Sequence, residues 1–119
     1  MLVVPTYTAP SKINGIGLFA KRDILRGETI WVQDPSVDLL LDEEDQEKYK
    51  DLEKFFWENS LGEVILPMDD DRYTNHSRTP NRLHVSDYLD IAGEFIPQGT
   101  EITIDYRYLC RPEDWSPYF

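Results

Sequence analysis

Asn75, His76 and Ser77 stand in a row within RYTNHSRTPN, Arg72 to Asn81, and no other stretch of the chain concentrates as much usable chemistry. A serine beside a histidine invites a nucleophile–base reading. Adjacent side chains rarely face each other, however, and the chain has no G-x-S-x-G elbow. His76, His84 and Cys110 invite a zinc reading but follow no recognised ligand spacing, so no metal site is expected. Asp69-Asp70-Asp71 lacks the alternating ligands, central glycine and distal glutamate of a calcium loop, and reads as a solvated turn. What the stretch does offer a polar ligand is backbone and an amide, because Asn, Ser and Pro favour turns. Taken alone, Asn75 reads equally as an Asx turn, and His76 as a buried histidine satisfied by its neighbours. Two further pieces flank it: Gly15-Ile16-Gly17 upstream and Tyr106, closing ITIDY, downstream.

These residues need a scaffold, and the sequence predicts a mostly β one. Leu2 to Tyr7 reads as a strand in which Pro5 is best tolerated at an edge. Gly15 and Gly17 lack the third glycine of G-x-G-x-x-G, and no clear βαβ unit surrounds them. A tight hairpin fits better, with bare backbone that a ligand can approach. Glu28 to Gln33, Val37 to Leu41, Glu63 to Met68 and Glu101 to Ile104 read as strands, with strand-like patches at Leu83, Val85 and Tyr88 to Phe95. One helix is predicted, about Asp42 to Asn59. Asp42 caps it, Glu44 and Lys48 form an i,i+4 pair, and Tyr49, Leu52, Phe55 and Phe56 make a core-facing stripe. Many short strands and one helix imply a compact, mostly β domain.

Bulk properties narrow the function. A chain of 119 residues with 40% hydrophobic and 13% aromatic content predicts one globular domain over residues 1–119. A single cysteine excludes an internal disulfide framework and points to a reducing, intracellular setting. No apolar run reaches membrane-spanning length, and MLVVPTYT does not read as an export signal. The formal charge of −11 repels phosphate backbones and argues against nucleic acid. A basic peptide or protein tail suits it better.

The glycine-rich entry, NHS-x-x-PN and EIT-x-DY occur in that order, and the ordered set resembles the SET-domain protein lysine methyltransferases. The resemblance spans Ser11 to Ile30, the anchor stretch Arg72 to Asn81 and Ile91 to Tyr106. Residues 37–66 match only in kind, as a variable insert, and residues 107–119 form a tail. It implies a β-clip fold in which the anchor stretch packs on the last strand and the C-terminal segment forms a pseudoknot. It implies S-adenosylmethionine as cofactor and a lysine-containing protein, such as a histone tail, as substrate. Cofactor contacts would come from Gly15, Ile16, Gly17, Arg72, Asn75, His76, Tyr106 and Trp115. The Asn75 side-chain oxygen would meet the cofactor amine and the His76 backbone the adenine edge. Tyr106 would be the catalytic tyrosine, and Tyr108, Tyr118 and Phe119 are further channel candidates. Arg78 replaces the familiar cysteine after NHS, and Ile104 stands where a Phe or Tyr is often linked to product degree. Without appended reader domains, selectivity would come from the groove or from a homodimer. The alternative is a non-catalytic SET-like β-clip domain that binds a basic protein partner.

Overall fold

The computed structural model describes residues 1–109. Ten strands are joined mostly by tight turns: β1 (Thr6–Pro10), β2 (Ile16–Ala20), β3 (Thr29–Val32), β4 (Asp38–Leu41), β5 (Trp57–Glu58), β6 (Val64–Pro67), β7 (Asn75–His76), β8 (Arg82–Ser86), β9 (Leu89–Ala92) and β10 (Glu101–Ile104). They form three small sheets, ordered β1-β2-β10-β7, β3-β9-β8 and β4-β6-β5. Leu18, Ala20, Ile24, Ile30, Trp31, Ile65, Ala92, Ile96 and Ile102 converge from all three into one core. Burial of such residues is the main term holding the sheets together, each side chain contributing on the order of 1.5–3 kcal/mol.

The last strand organises the fold. Its first half pairs antiparallel with β2, Glu101 opposite Phe19 and Ile102 opposite Leu18. Its second half pairs parallel with β7, Thr103 opposite Asn75 and Ile104 opposite His76. Parallel neighbours need a long crossover, and here the whole run from β8 through β9 supplies it. Four residues thereby bring the glycine hairpin, the Asn75-His76 pair and Tyr106 to one place. The expected packing of the anchor stretch on the last strand is present.

Three local expectations are corrected. The predicted helix from Asp42 to Asn59 is a six-residue α-helix, α1 (Glu43–Lys48), followed by a 3-10 turn over Lys50–Phe55 and then β5. Asp42 does cap it, accepting from the Asp45 N–H at 2.8 Å. Neither helical piece buries a residue, so no packed face extends the helix. Trp57 instead enters the core, opposite Ile65 and edge-on to Trp31, and forces strand geometry. Lys48 lies over the Tyr49 ring.

The predicted strand Leu2 to Tyr7 is split. Val3 N–H donates to Ile30 O, whereas pairing with β2 begins only at Thr6, so the segment serves two sheets in turn. Pro5, without an N–H, stands at the change-over. Nor are the three aspartates simply a solvated turn, since of them Asp70 alone is exposed. Asp69 caps a 3-10 turn over Asp70–Tyr73 and accepts from the Leu2 N–H, and Asp71 pairs with the buried Arg82.

Candidate active site

The hairpin between β1 and β2 turns at Gly15, whose φ of +49° is the left-handed region that favours glycine. Ser11 Oγ accepts from the Ile13 N–H at 2.9 Å and fixes the loop's shape. Asn75 ties this loop to the rest of the site. Its buried amide nitrogen donates to Asn14 O at 3.0 Å, to Ser11 Oγ at 3.1 Å and to Glu101 Oε2 at 3.0 Å. The amide N–H₂ is thus spent on the scaffold.

Gly17 has a neighbour that the sequence did not suggest. A Cβ there would stand 2.5 Å from Glu101 Oε2 and 3.0 Å from Ser11 Cβ, so the missing side chain makes room for Glu101. Glu101 also accepts from Ser11 Oγ at 2.8 Å, making its carboxylate the hub of the hairpin. Gly17→Ala should displace that carboxylate and cost about 1–3 kcal/mol of stability, read by chemical denaturation. A second substitution, Glu101→Ala, should make the added methyl group cheaper.

Tyr106 follows β10 and is tied down at both ends. Its backbone N–H donates to His76 Nδ1 at 3.1 Å, and its hydroxyl donates to Thr74 O at 2.6 Å. The two rings lie 5.3 Å apart. Because His76 Nδ1 accepts, the proton of the neutral ring belongs on Nε2. Desolvation pushes the His76 pKa below the ordinary histidine value, and the nearby Asp105 only partly opposes it. Asp105 is itself held below the usual carboxylate range, chiefly by its hydrogen bond from Arg107.

A pH dependence follows from these two shifts. Below about pH 6.5 the unfolded chain protonates His76 while the folded chain resists, so stability is full above that pH and declines as pH falls towards the folded value. Asp105 adds a separate loss at lower pH, below about 3.8, as its carboxylate is protonated. Melting temperature measured against pH should show the first slope in the wild type and lose it in His76→Asn.

Two hollows meet at Tyr106. An open cleft of about 780 Å³ is lined by Ile13 to Ile16, Arg72 to His76, Lys54, Phe55 and Tyr106. A smaller pocket of about 90 Å³ lies between Trp31, Phe55, Phe56, Trp57, His84, Ile104 and Tyr106, with Asp71, Arg82 and Asp90 also on its wall. Lys54, Phe55, Arg72, Thr74 and Tyr106 border both. Arg72 is part of that partition. Its guanidinium donates to Pro67 O at 2.9 and 3.1 Å and lies 4.8 Å from the centroid of the Phe55 ring. Phe55 and Phe56, expected as core, are half-buried and serve as pocket wall.

Of the residues predicted for the site, Gly15, Ile16, Arg72, Asn75, His76 and Tyr106 line the open cleft, while Gly17 is buried beside Glu101. Trp115, Tyr118, Phe119 and Cys110 lie outside the described residues. Glu101, Asn81 and Arg82 were missed. The Asn81 side chain donates to Glu101 O and accepts from Thr103 N–H, both at 2.9 Å, and so acts as a clasp for β10. Its place after Pro80 signalled only a turn.

The sequence pattern of the SET domain matches residues 15–107, most of the chain and all of the motifs just described. The chain belongs to the SET-domain family. Solved structures agree on the fold of this SET domain. A Plasmodium falciparum protein assigned as a histone methyltransferase superposes with a TM-score of 0.64 at 22% identity, over 86% of this chain and 96% of that one. The Neurospora histone lysine methyltransferase DIM-5 gives 0.61 at 22% identity, over 88% of this chain and 53% of that one. An inhibitor-bound humanized Polycomb Repressive Complex 2 from Chaetomium thermophilum gives 0.65 at 18% identity over 87% of this chain, which spans 15% of that chain. No curated protein sequence matches the SET domain described here at a significant level. Among the described residues no helix is long and apolar enough to cross a membrane.

Proposed function

We propose that this SET domain transfers a methyl group from S-adenosylmethionine to the side-chain amine of a protein lysine. The observation that carries the reading is the position of Tyr106, on the wall shared by an open cleft and a small aromatic pocket. The cleft suits the cofactor. Exposed backbone at Asn14 to Ile16 lines it, open space lies where a Cβ would project from Gly15, and Asn75 and His76 stand at its wall. The Asn75 oxygen would receive the amine of the methionine portion, and backbone near His76 the adenine edge. The cofactor supplies a methyl group already activated on a sulfonium sulfur.

The chain's own task is then alignment and deprotonation. The lysine must attack as a neutral amine, and with a free pKa of ~10.4 only about one amine in 2,500 is neutral at pH 7. The rings of Trp31, Phe55, Phe56 and Trp57 on the pocket's wall would displace water from a bound amine and so disfavour the ammonium form. The Tyr106 hydroxyl would orient the amine for in-line attack, and backbone carbonyl oxygens at the junction would favour the transferring methyl group. The C–S pair stays with sulfur, and the amine lone pair forms the new N–C bond. The resulting cationic amine releases a proton to solvent if it bears one.

A basic tail fits the charge of −11, which steers cations towards the domain. The Chaetomium thermophilum Polycomb complex has also been solved with H3K27me3 and H3K27M, which agrees with a histone-like substrate. Titration calorimetry with S-adenosylmethionine and with its demethylated product tests the cofactor. Measurable heat with both is the expected result. No heat and no thermal shift at millimolar ligand would end the reading and leave a binding domain for basic partners.

A further inference from the structure

Arg82 opens β8 and is buried, 3% exposed, with both its ion-pair partners beside it on the wall of the aromatic pocket. Its Nε donates to Asp90 Oδ2 at 2.7 Å, and one terminal nitrogen donates to Asp71 Oδ1. That same nitrogen is 3.4 Å from Thr74 Oγ1. Thr74 Oγ1 in turn donates to Asp71 O at 2.8 Å, and the Thr74 N–H donates to the same carbonyl at 3.0 Å. Thr74 is therefore held through its side chain and its backbone, and its own carbonyl is the group that receives the Tyr106 hydroxyl. The far end of the chain of bonds is anchored as well, since Asp90 Oδ1 meets His84 Nδ1 at 2.7 Å.

A surface arginine would gain little from such pairing, and a buried one is rarely kept for stability, because an apolar replacement is often as stable. What this one provides is geometry. Its rigid planar fork sets two carboxylates at fixed angles, which a lysine's single ammonium cannot do. Burial disfavours the charge, but Asp71 and Asp90 more than reverse that and hold the Arg82 pKa above the ordinary arginine range. The cation therefore persists at every working pH.

We infer that Arg82 is a positioning residue for methyl transfer: acting through Asp71 and Thr74, it fixes the carbonyl that orients the Tyr106 hydroxyl. This rests on the reading of Tyr106 as the group that aligns the amine. Misplacing a reacting group by a fraction of its contact distance is costly even when the cause lies away from the chemistry. Arg82 borders the same aromatic pocket, but the bond that holds the Tyr106 hydroxyl runs to Thr74 O and not to the guanidinium.

The test uses Arg82→Lys, which keeps the charge and loses the fork, and Thr74→Val, which keeps the shape and loses the hydroxyl clamp. Each is made alone and with Tyr106→Phe, and assayed with core histones and radiolabelled S-adenosylmethionine. Each single variant should lower kcat about tenfold or more while the cofactor Kd moves less than about twofold. In the Tyr106→Phe background the same substitutions should change kcat less than about twofold, because the hydroxyl they position is gone. The resonance of Tyr106 Cζ in protein with ¹³C-labelled tyrosine should shift in both single variants. An unshifted resonance, or an equal fall in kcat in both backgrounds, overturns the role of Arg82. Full turnover in Tyr106→Phe alone instead overturns the reading of Tyr106, and the resonance still decides whether Arg82 positions the ring. Should Arg82→Lys fail to fold, Thr74→Val alone gives both readouts.

Discussion

Tyr106→Phe is expected to lower turnover roughly 30- to 1,000-fold, the equivalent of ~2–4 kcal/mol from one oriented hydrogen bond in a water-excluded site. The ring stays, so its 5.3 Å approach to His76 and the Tyr106 N–H bond to His76 Nδ1 persist. The hydroxyl and its bond to Thr74 O are lost. That loss should cost about 0.5–1.5 kcal/mol of stability, small enough for activity to be compared on folded protein. S-adenosylmethionine binding should change less than about twofold, because the proposed interaction tightens in the transition state rather than in the bound complex. Single-turnover rates beside calorimetric Kd values separate the two effects. Equal losses in binding and rate would make Tyr106 a wall residue, and undiminished turnover would remove it from the mechanism.

Asn75→Ala should show the reverse order of effects. The substitution removes three donations at once, to Asn14 O, Ser11 Oγ and Glu101 Oε2, and it leaves the Glu101 carboxylate short of a partner beside the buried Gly17. Leaving buried polar groups unsatisfied costs about 1–3 kcal/mol each, more when charged, so a fall in folding stability of roughly 2–4 kcal/mol is expected. The hairpin from Ile13 to Ile16 then loses its tie to β7, and cofactor affinity should drop by about tenfold or more before any change in the chemical step. Asn75→Asp offers a cleaner comparison of charge. It places a second carboxylate 3.0 Å from Glu101 Oε2, where like charges repel, and should be worse than Ala at neutral pH yet improve on acidification. Thermal melts and cofactor titrations at two pH values check both.

Much of this was open to a reader of the sequence, for physical reasons that differ from element to element. Glu101 to Ile104 was found at its observed bounds because polar–apolar alternation, a Pro97-Gln98-Gly99 turn before it and strong β-formers agree. Asn75, His76 and Tyr106 were assembled by the resemblance, not by periodicity, since nothing local says that β7 lies parallel beside β10. The helix from Asp42 to Asn59 failed because a helical stripe predicts a packed face, whereas the insert keeps Tyr49, Leu52, Phe55 and Phe56 only half-buried and turns at Trp57 to reach Ile65. Gly17 was noticed for its bare backbone, but its neighbour Glu101 gave no signal, because that carboxylate lies 84 positions on in the chain. Arg82 gave no signal at all. Within RLHVS it reads as a surface charge, and its two carboxylates come from either side of it, Asp71 before and Asp90 after.

The most direct test of the central claim is transfer itself. The purified domain is incubated with core histones and S-adenosylmethionine carrying a radiolabelled methyl group, beside the Tyr106→Phe variant, and the acid hydrolysate is resolved into amino acids. The expected result is label in methylated lysine with the wild type, and at least about 30-fold less with the variant. Label confined to other amino acids, or equal label from wild type and variant, would contradict it.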